Sequence, residues 1–387
     1  MAQTLTAQEA AELLGVTRQT LYAYVSRGLL TTETGDTPRE RRYPAHEVMA
    51  LKASRQQGRA PRAVAQATLD WGLPVMPSAI TLIDQGRLYY RGQNAATLAR
   101  EASLEETAAL LWQLPQSALR RDSPWPDEGL ARQDSPEWLL NRFVHVSERL
   151  EEDVGPGSDA RQAERSGAAL RAMAFGVCGR QDAGLPIHHL CARAWQLDEW
   201  QADRLRMALV LCADHELNPS SFAARCTAAT GASTRAALIA ALATLSGPRH
   251  GGATARVAAL FNEISASDAA EVLRARLARG DAIEGFGHPL YPQGDPRAAQ
   301  ILAGLPHDPI AEAIVNAMSS LTGLSPSLDF ALVALSRALA LPRGAAFGLF
   351  ALGRCVGWIA HILEQRASGG PIRPRAHYVG EPPRAWP

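Results

Sequence analysis

The sequence is almost without lysine. Lys52 is the only lysine among 387 residues, although Lys and Arg together number 39, so arginine supplies nearly all of the positive charge. A Walker-type nucleotide-binding loop and a Schiff-base enzyme both depend on a lysine, and neither is possible outside the N-terminal segment. Arginine is instead suited to bidentate binding of carboxylates and phosphates. The basic residues therefore favour anion recognition over lysine chemistry.

The sequence also lacks an excess of either charge and is poor in aromatic residues. The 39 basic residues match 39 acidic residues, so the net charge provides no reason to expect binding to nucleic acid or membranes. Aromatic residues make up 6% of the chain, whereas Ala and Leu are abundant and β-branched residues are sparse. This composition favours helices over sheets.

No pair of cysteines has CxxC spacing, and no secretory leader is visible. The N-terminal sequence, MAQTLTAQEA, lacks the basic and apolar regions of a signal peptide. The apolar stretch 344–363 is interrupted by Arg354 and His361, which indicates a buried core helix and not a membrane span. We therefore expect a cytoplasmic protein, not bound to a membrane, with reduced thiols. The cysteines are Cys178, Cys191, Cys212, Cys226 and Cys355.

The first 55 residues have the pattern of a small helical unit. Thr6 and Glu9 predict a capping box at the start of one helix, Gly15 predicts a turn, and Thr17 caps a second helix that ends at Gly28. Two helices joined by a glycine turn at this spacing are typical of a helix-turn-helix. The turn residues and basic cluster of TTETGDTPRERRYP predict a β-wing after them.

This unit resembles the DNA-binding headpiece of MerR-type and excisionase-like regulators. The resemblance implies that the second helix enters a major groove and that the wing contacts phosphates. The alternative is a vestigial or protein-binding helical unit. The residues that would contact DNA are Arg18, Gln19, Thr20 and Tyr22 on the helix, and Arg41 and Arg42 on the wing.

A larger unit follows a predicted linker over residues 56–75, which are rich in Gln, Ala, Gly and Pro. This unit covers residues 76–387 and opens with a β-hairpin around the turn DQG. Ser103 and Glu106 then cap a helix, and from there Ala- and Leu-rich helical patterns continue to the C-terminus. The sequence therefore predicts a mainly α fold preceded by a small winged helix-turn-helix domain.

Histidine, arginine, aspartate and glycine are concentrated in a few segments of the larger unit. His215 follows an apolar run, and His250 lies among glycines just before a helix, where the helix dipole favours a neutral imidazole. His288 and Arg297 share a loop rich in Gly and Pro, which suits binding of a small anion. Asp329 precedes an apolar helix, which predicts a buried base with a raised pKa.

Two further arginines complete the candidate set. A buried guanidinium at Arg354 needs an anionic partner or a cavity, and Arg373 lies in the Pro-rich tail segment PIRPRAHY. Each residue taken alone is more often structural than functional. Together they supply a base for an α-proton, a neutral donor for an enolate, a polariser for a carbonyl and cations for carboxylates. The set predicts carbon-acid chemistry on a small polycarboxylate.

In this region the sequence resembles the citrate synthase family. The segments that carry the resemblance are, in order, ADHELN, GPRHGGA, GFGHPLYPQGDPRA, SLDF, ALGRCVGWIAHILEQ and PIRPRAHYVG. The resemblance implies large and small helical domains, the smaller over roughly residues 255–345, in a homodimer with shared active sites. It also implies condensation of acetyl-CoA, or another acyl-CoA, with oxaloacetate and water to give citrate and CoA. No metal and no tightly bound cofactor are implied.

The resemblance assigns a role to each candidate residue. His250 would stabilise the enol of acetyl-CoA, Asp329 would remove its methyl proton, and His288 would bind and protonate the oxaloacetate carbonyl. The residues implied to bind oxaloacetate or citrate are His215, Arg297, Arg354 and Arg373, the last by reaching into the partner subunit's site.

The sequence departs from the usual family pattern at a few positions. Pro289 follows His288 where many relatives have Arg, and Thr254 and Ala255 stand where Asn and Glu are common. These changes bear on contacts to CoA and on acyl-chain preference. Two alternatives remain open: a 2-methylcitrate synthase that uses propionyl-CoA, and a DNA-binding regulator that senses citrate, oxaloacetate or an acyl-CoA.

Overall fold

The computed structural model describes residues 4–26, 30–34, 41–45, 47–48, 51, 76–116, 135–151, 158–182, 184–374 and 379–381. The chain separates into two compact units, one formed by residues 1–77 with 375–387 and the other by residues 78–374. Gly28 and the predicted linker 56–75 lie outside the described residues, so the predictions for them are not tested. The smaller subdomain over residues 255–345 also stays a prediction.

The N-terminal unit contains the predicted helix-turn-helix and wing. Its elements are β1 (Thr4–Thr6), α1 (Ala7–Leu14), α2 (Arg18–Ser26), β2 (Glu33–Thr34) and β3 (Arg41–Pro44). The capping box is formed: the Thr6 hydroxyl accepts the backbone N–H of Glu9 at 3.2 Å, and the Glu9 carboxylate accepts that of Thr6 at 2.8 Å. Gly15 ends α1 in the left-handed conformation, with φ of 63°. Strand β3 pairs antiparallel with both β1 and β2.

The larger unit begins with a three-stranded antiparallel sheet of β4 (Thr81–Asp84), β5 (Arg87–Tyr90) and β6 (Gln93–Asn94). The predicted hairpin turn joins β4 to β5. Its central residues, Gln85 and Gly86, both have positive φ values, of 47° and 72°. Positive φ at both central positions belongs to the turn type whose twist matches that of paired strands.

Helices make up the rest of the larger unit, as its composition predicts. They are α3 (Ala95–Glu101), α4 (Leu104–Trp112), α5 (Pro136–Val146), α6 (Asp159–Cys178), α7 (Ile187–Trp195), α8 (Glu199–Cys212), α9 (Pro219–Ala228), α10 (Thr234–Leu245), α11 (Ala253–Glu263), α12 (Ala269–Ala278), α13 (Pro296–Ala303), α14 (Pro309–Thr322), α15 (Leu328–Ala338) and α16 (Ala345–Ser368), with a 3₁₀ turn at Ser147–Arg149. The predicted mainly α fold is confirmed.

Helix α16 forms the centre of this unit. Every residue from Ala345 to Ile362 is buried, and the helix packs against α4, α6, α8, α9, α10 and α15. Among the described residues it alone is long and apolar enough to cross a membrane, but 94% of its apolar window is buried inside the protein. It has the burial expected of a core helix, and it carries Arg354 into the interior.

Candidate active site

The candidate residues come from separate elements of the larger unit. They are His215 in the turn after α8, His250 in the turn before α11, His288 in the loop before α13, Arg297 in the first turn of α13, Asp329 in the first turn of α15 and Arg354 within α16. Asp329 was expected just before its helix, but α15 begins one residue earlier, at Leu328.

His215, His288 and Tyr291 form a cluster of three rings. The His215 and His288 rings lie edge to face with centroids 5.0 Å apart. Nε2 of His215 is 3.0 Å from the hydroxyl of Tyr291, whose ring is 5.1 Å from that of His288. Burial, together with the charges of Arg297 and Arg354, holds the pKa of His215 well below its usual range. The ring is therefore a neutral hydrogen-bonding group at physiological pH.

His288 is held in one tautomer by its own loop. The backbone N–H of Leu290 donates to His288 Nδ1 at 3.2 Å, so the proton of the neutral ring is on Nε2. Burial, with a smaller effect from Arg297, lowers the pKa of His288 to about 4. Nε2 is thus a neutral N–H donor of the kind that polarises a carbonyl oxygen.

The His288 loop is tied to the segment that carries Asp329. Gly287 N–H donates to Ser325 O, and Ser327 N–H donates to Gly285 O, each at 2.8 Å. Gly285 has φ of 89°, and a Cβ there would lie 2.9 Å from Val257 Cγ2, so a larger residue would force this loop to move. The two pairings keep the imidazole loop and the start of α15 in register.

Arg297 is anchored by a carboxylate that also reaches α15. Asp295 accepts Arg297 Nε at 2.9 Å and Nη2 at 2.7 Å, and its Oδ2 also accepts the N–H of Leu328 at 3.2 Å. Burial acts to raise the pKa of Asp295, but the Arg297 guanidinium holds it below its usual range. Both residues of the pair are 3% exposed, and the carboxylate contacts Leu328, the residue before Asp329.

Asp329 is a half-buried acid whose Oδ1 is inaccessible to solvent and whose charge is only partly compensated. Its Oδ1 has no hydrogen-bond partner in the part of the chain that the structure describes. Burial raises the pKa of Asp329 to about 6, although Arg297 acts in the opposite direction. A carboxylate with such a pKa is ionised at neutral pH and is still basic enough to take a proton from carbon.

His250 is held by a serine. Ser220 Oγ lies 3.0 Å from His250 Nε2 and accepts the indole N–H of Trp358 at 3.1 Å. The single proton of the serine hydroxyl is donated to Asn218 Oδ1 at 2.7 Å, so the serine oxygen accepts from His250 Nε2, which carries the ring proton. Burial lowers the pKa of His250 to about 4, and Arg354 acts in the same direction. Burial, more than the helix dipole invoked from the sequence, explains the neutral ring.

Arg354 is fixed to the turn before His215. Its Nε donates to the Cys212 carbonyl at 2.9 Å, and its guanidinium lies 5.1 Å from the centre of the Phe350 ring. Its Nη2 is buried and has no hydrogen-bond partner among the described residues. Because a buried guanidinium gains most from a carboxylate, this nitrogen is suited to binding an anionic ligand.

Two glycines of α16 allow this close approach. A Cβ on Gly353 would lie 2.5 Å from the Cβ of Cys212, and one on Gly357 would lie 2.3 Å from Oδ1 of Asp214. Gly357 N–H donates to the Ala213 carbonyl at 2.9 Å. The turn that carries His215 is therefore seated directly on the helix that carries Arg354.

The cluster combines neutral donors, cations and one base. The charges of Arg297 and Arg354 act on His215 and His288, that of Arg354 acts on His250, and that of Arg297 acts on Asp329, so the two guanidinium groups link the other four residues. Among the described residues, no group of three or more His, Cys, Asp or Glu side chains could hold a metal ion. The arrangement can bind a small polycarboxylate and move a proton.

Arg373 and the DNA candidates lie elsewhere. Arg373 is exposed beyond the end of α16. In the N-terminal unit, Tyr22 is 53% exposed, and Arg18, Gln19 and Arg41 are also exposed. The remaining two candidates, Thr20 and Arg42, are half-buried.

Sequence reasoning missed several residues of the site. Ser220, Tyr291 and Asp295 each contact a candidate side chain. Phe350 packs near both Arg354 and His250, and the centroids of the Phe350 and His250 rings are 6.1 Å apart. Asp295 and Tyr291 belong to the same loop motif as His288, which is the only local signal. No sequence pattern marks Ser220, because His250 and Trp358, which it contacts, lie 30 and 138 residues away.

Comparison with known proteins covers both units. A family model for the citrate synthase C-terminal domain matches residues 68–148 and 161–375, and a helix-turn-helix domain model matches residues 4–56. Citrate synthase of Haloferax volcanii is 32% identical, covering 80% of this chain and 94% of the relative. A 2-methylcitrate synthase of Mycobacterium tuberculosis is 29% identical, covering 82% and 91%.

A solved structure shares the fold of the larger unit. Citrate synthase of Thermoplasma acidophilum, in a ternary complex with carboxymethyl coenzyme A and oxaloacetate, superimposes with a TM-score of 0.67 over 81% of this chain and 96% of the other, at 22% identity. The likeness to this structure shows the fold alone. The family is shown by the family model, which spans most of the chain, and by the Haloferax volcanii relative, which aligns over 94% of its own length. The chain belongs to the citrate synthase family of acyltransferases, with a helix-turn-helix domain at its N-terminus.

Proposed function

We propose that the protein condenses acetyl-CoA with oxaloacetate and water to give citrate and CoA. The observation that carries the proposal is Asp329, whose Oδ1 is buried and whose pKa is raised to about 6, in an electrostatic cluster with three neutral imidazoles and two buried guanidinium groups. Removing a proton from a thioester methyl group needs a base that is ionised but not stabilised by many hydrogen bonds. Asp329 Oδ1 meets that requirement.

The neutral imidazoles would stabilise charge as it develops on oxygen. Asp329 takes the methyl proton of acetyl-CoA, and the neutral His250 ring, held at Nε2 by Ser220, stabilises the enolate oxygen. His288 donates from Nε2 to the oxaloacetate carbonyl, which makes its carbon a better electrophile. A carbon–carbon bond then forms, the carbonyl oxygen gains a proton, and water cleaves the thioester to release CoA.

The cations and His215 would hold the dicarboxylate. Arg354 offers the unpartnered Nη2, and Arg297 supplies a second positive charge, partly offset by Asp295. His215, neutral and fixed against Tyr291, adds a hydrogen bond. Charge-assisted pairs of this kind fix orientation as well as affinity.

Thiol release tests the proposed reaction. The protein is mixed with acetyl-CoA and oxaloacetate, and free CoA is followed against controls that omit one substrate. We expect thiol release only when both substrates are present, with citrate formed in equal amount. No thiol above background from folded protein, with any acyl-CoA tried, would remove the proposal.

A second substrate is favoured by one relative, the 2-methylcitrate synthase that is 29% identical. We propose propionyl-CoA as the alternative acyl donor. One methylene changes binding by only about 1–3 kcal/mol in an apolar pocket, so both donors can react at different rates. The ratio of kcat/KM for propionyl-CoA and acetyl-CoA, measured in the same thiol assay, decides which is the better substrate.

We also propose that the protein is a homodimer in which the partner subunit's Arg373 completes each site. The support is the family membership and the exposed position of Arg373 beyond α16. We expect the Asp329→Asn and Arg373→Ala variants each to be nearly inactive alone. The two variants are mixed, unfolded, refolded together and assayed. Mixed dimers would contain one intact site, so activity returns. No recovery from a preparation that contains mixed dimers would contradict shared sites.

The helix-turn-helix domain supports a second function, binding to DNA. Helix α2 presents Arg18, Gln19 and Tyr22 to solvent, and strand β3 of the wing presents Arg41. We expect sequence-selective binding that weakens as salt rises, with a site of two related halves if the protein is a dimer. A gel shift on genomic fragments, with and without citrate, oxaloacetate and acyl-CoA, tests this. No shift even at low salt would argue for a protein-binding role.

A further inference from the structure

A buried polar cluster lies beside the site but takes no part in the mechanism above. Arg225 of α9, His361 of α16 and Asp214 of the turn between α8 and α9 are 1%, 0% and 0% exposed. Thr81 of β4 joins them. Burying this many polar groups is costly unless each is paired, so the cluster needs a physical explanation.

The contacts fix the tautomer of His361. Arg225 Nε donates to His361 Nδ1 at 2.9 Å, so the proton of the neutral ring is on Nε2. Nε2 lies 3.3 Å from Asp214 Oδ1, outside the alignment of a linear hydrogen bond. Arg225 is itself held by an ion pair with Glu364. The imidazole thus presents its N–H side to Asp214 because Arg225 occupies its other nitrogen.

Asp214 is a carboxylate in this setting. Its other oxygen, Oδ2, accepts the Thr81 hydroxyl at 2.6 Å. Burial acts to raise the pKa of Asp214, but His361, Arg354 and the Thr81 hydrogen bond hold it below its usual range. Thr81 therefore fixes Oδ2 by a hydrogen bond, and His361, from a distant part of the chain, faces Oδ1 in an electrostatic contact.

The position of Asp214 in its turn determines the orientation of the next residue, His215. The backbone N–H of Asp214 donates to the hydroxyl of Tyr90 at 3.3 Å, and the carbonyl of Ala213 accepts the N–H of Gly357. Glu216 then has φ of 50°, a conformation that non-glycine residues rarely adopt. The backbone that carries His215 is therefore held at Ala213, Asp214 and Glu216, and the Asp214 side chain, through Thr81, is one of its anchors.

We propose that His361 and Arg225 are positioning residues for oxaloacetate binding, acting through Asp214 on His215. This proposal rests on the proposed condensation reaction. Without His361, Asp214 Oδ1 loses the imidazole that faces it at 3.3 Å, and a buried carboxylate that loses this electrostatic contact shifts toward another donor. His215 moves with it and its hydrogen bond to the dicarboxylate weakens. The acyl-CoA contacts, which lie with His250, are unaffected.

The test compares Michaelis constants for the two substrates. His361→Leu removes both ring nitrogens, His361→Gln restores one N–H donor near the position of Nε2, and Thr81→Val removes the other contact to Asp214 at constant volume. We expect His361→Leu to raise the KM for oxaloacetate about tenfold or more, because small misplacements of binding groups are costly. The KM for acyl-CoA stays within about twofold of the original. His361→Gln should recover most of the loss.

A control on the same helix separates positioning from stability. Arg366 of α16 donates to Thr234 Oγ1 and the Ala232 carbonyl, away from the His215 turn. Arg366→Gln should lower the melting temperature without changing either KM. Loss of folded protein lowers the number of active sites and hence the apparent kcat, but it leaves KM unchanged.

The outcomes distinguish the proposal from its premise. An unchanged KM for oxaloacetate in folded His361→Leu, or a failure of His361→Gln to recover, overturns the positioning role. If His361→Leu does not fold, Thr81→Val and His361→Gln carry the same comparison. If the unmodified protein releases no thiol, the proposed function fails. The rise in melting temperature caused by oxaloacetate then tests positioning alone, and an equal rise in protein and variants refutes it.

Discussion

The two units of the chain use arginine in opposite ways. In the N-terminal unit Arg18 and Arg41 are exposed, whereas in the larger unit Arg297 and Arg354 are 3% and 1% exposed. Arg41 bonds Thr32, nine residues away, but Arg354 bonds the carbonyl of Cys212, 142 residues away. The exposed set depends on local structure and the buried set on the assembled fold.

The energetic cost explains the difference. An exposed guanidinium is solvated by water whether or not it has a partner. Leaving it unpaired until a polyanion binds therefore costs little free energy. A buried guanidinium must be compensated, by Asp295 for Arg297 and in part by a carbonyl for Arg354. The incomplete compensation of Arg354 is what makes it a candidate for binding a carboxylate.

The largest effect is expected at the base. Asp329→Asn keeps the shape of the side chain but cannot accept the proton, so kcat should fall by about 10³-fold or more. Thiol release at saturating substrate measures it. The exposed Asp281→Asn serves as the control and should keep full activity. DNA binding by Asp329→Asn should be unaffected, and a small loss of kcat would mean that another group is the base.

The buried and exposed arginines can be compared directly. Arg354→Gln should raise the KM for oxaloacetate by about 10²-fold, because the ligand carboxylate would lose a buried, charge-assisted partner. Arg87 of β5 is exposed, and Arg87→Gln should change no kinetic constant. The same substitution at Arg18 should weaken DNA retention only. Equal effects of Arg354→Gln and Arg87→Gln on KM would contradict the contrast between buried and exposed arginines.

The pH dependence follows from the same burial. The pKa of Asp329 is raised to about 6 and those of His250 and His288 are lowered to about 4, so the base titrates while both rings stay neutral. Because the ionised form of Asp329 is active, kcat/KM should rise about tenfold per pH unit below pH 6 and level off above it. A limb centred near pH 4 would show that Asp329 is better solvated than its burial indicates.

The smallest effect is expected at the helix caps, where the two units share one device. Thr6 with Glu9 and Ser103 with Glu106 form the same capping box. Thr6→Ala and Ser103→Ala should each cost about 1 kcal/mol of stability. Hydrogen exchange should quicken in α1 for the first variant and in α4 for the second. A change in both helices from either variant would show that the units unfold together.

Local sequence patterns predicted much of the fold correctly. Both capping boxes, the glycine turn at Gly15 and the hairpin around Gln85 and Gly86 form as expected, because each depends on residues within a few positions of one another. The helix content follows from composition in the same way. The boundary at Asp329 was wrong by one residue, since helix starts depend on the packing of the first turn as well as on capping signals.

The candidate site was predicted in its members but not in its supports. His215, His250, His288, Arg297 and Arg354 stood out because polar residues were unexpected in apolar or glycine-rich segments. The residues that hold them, among them Ser220 and Asp214, did not stand out. Their importance comes from partners on α16 that no spacing rule connects to them.

The sequence by itself determined the types of chemistry available: arginine in place of lysine, imidazoles beside glycines, one acid in an apolar setting and a helix-turn-helix at the N-terminus. Only the tertiary structure decided which of these side chains are protonated and where they point, because burial sets the pKa values of Asp329 and the histidines. Burial and long-range hydrogen bonds arise when distant segments pack on α16, and no local pattern contains that information.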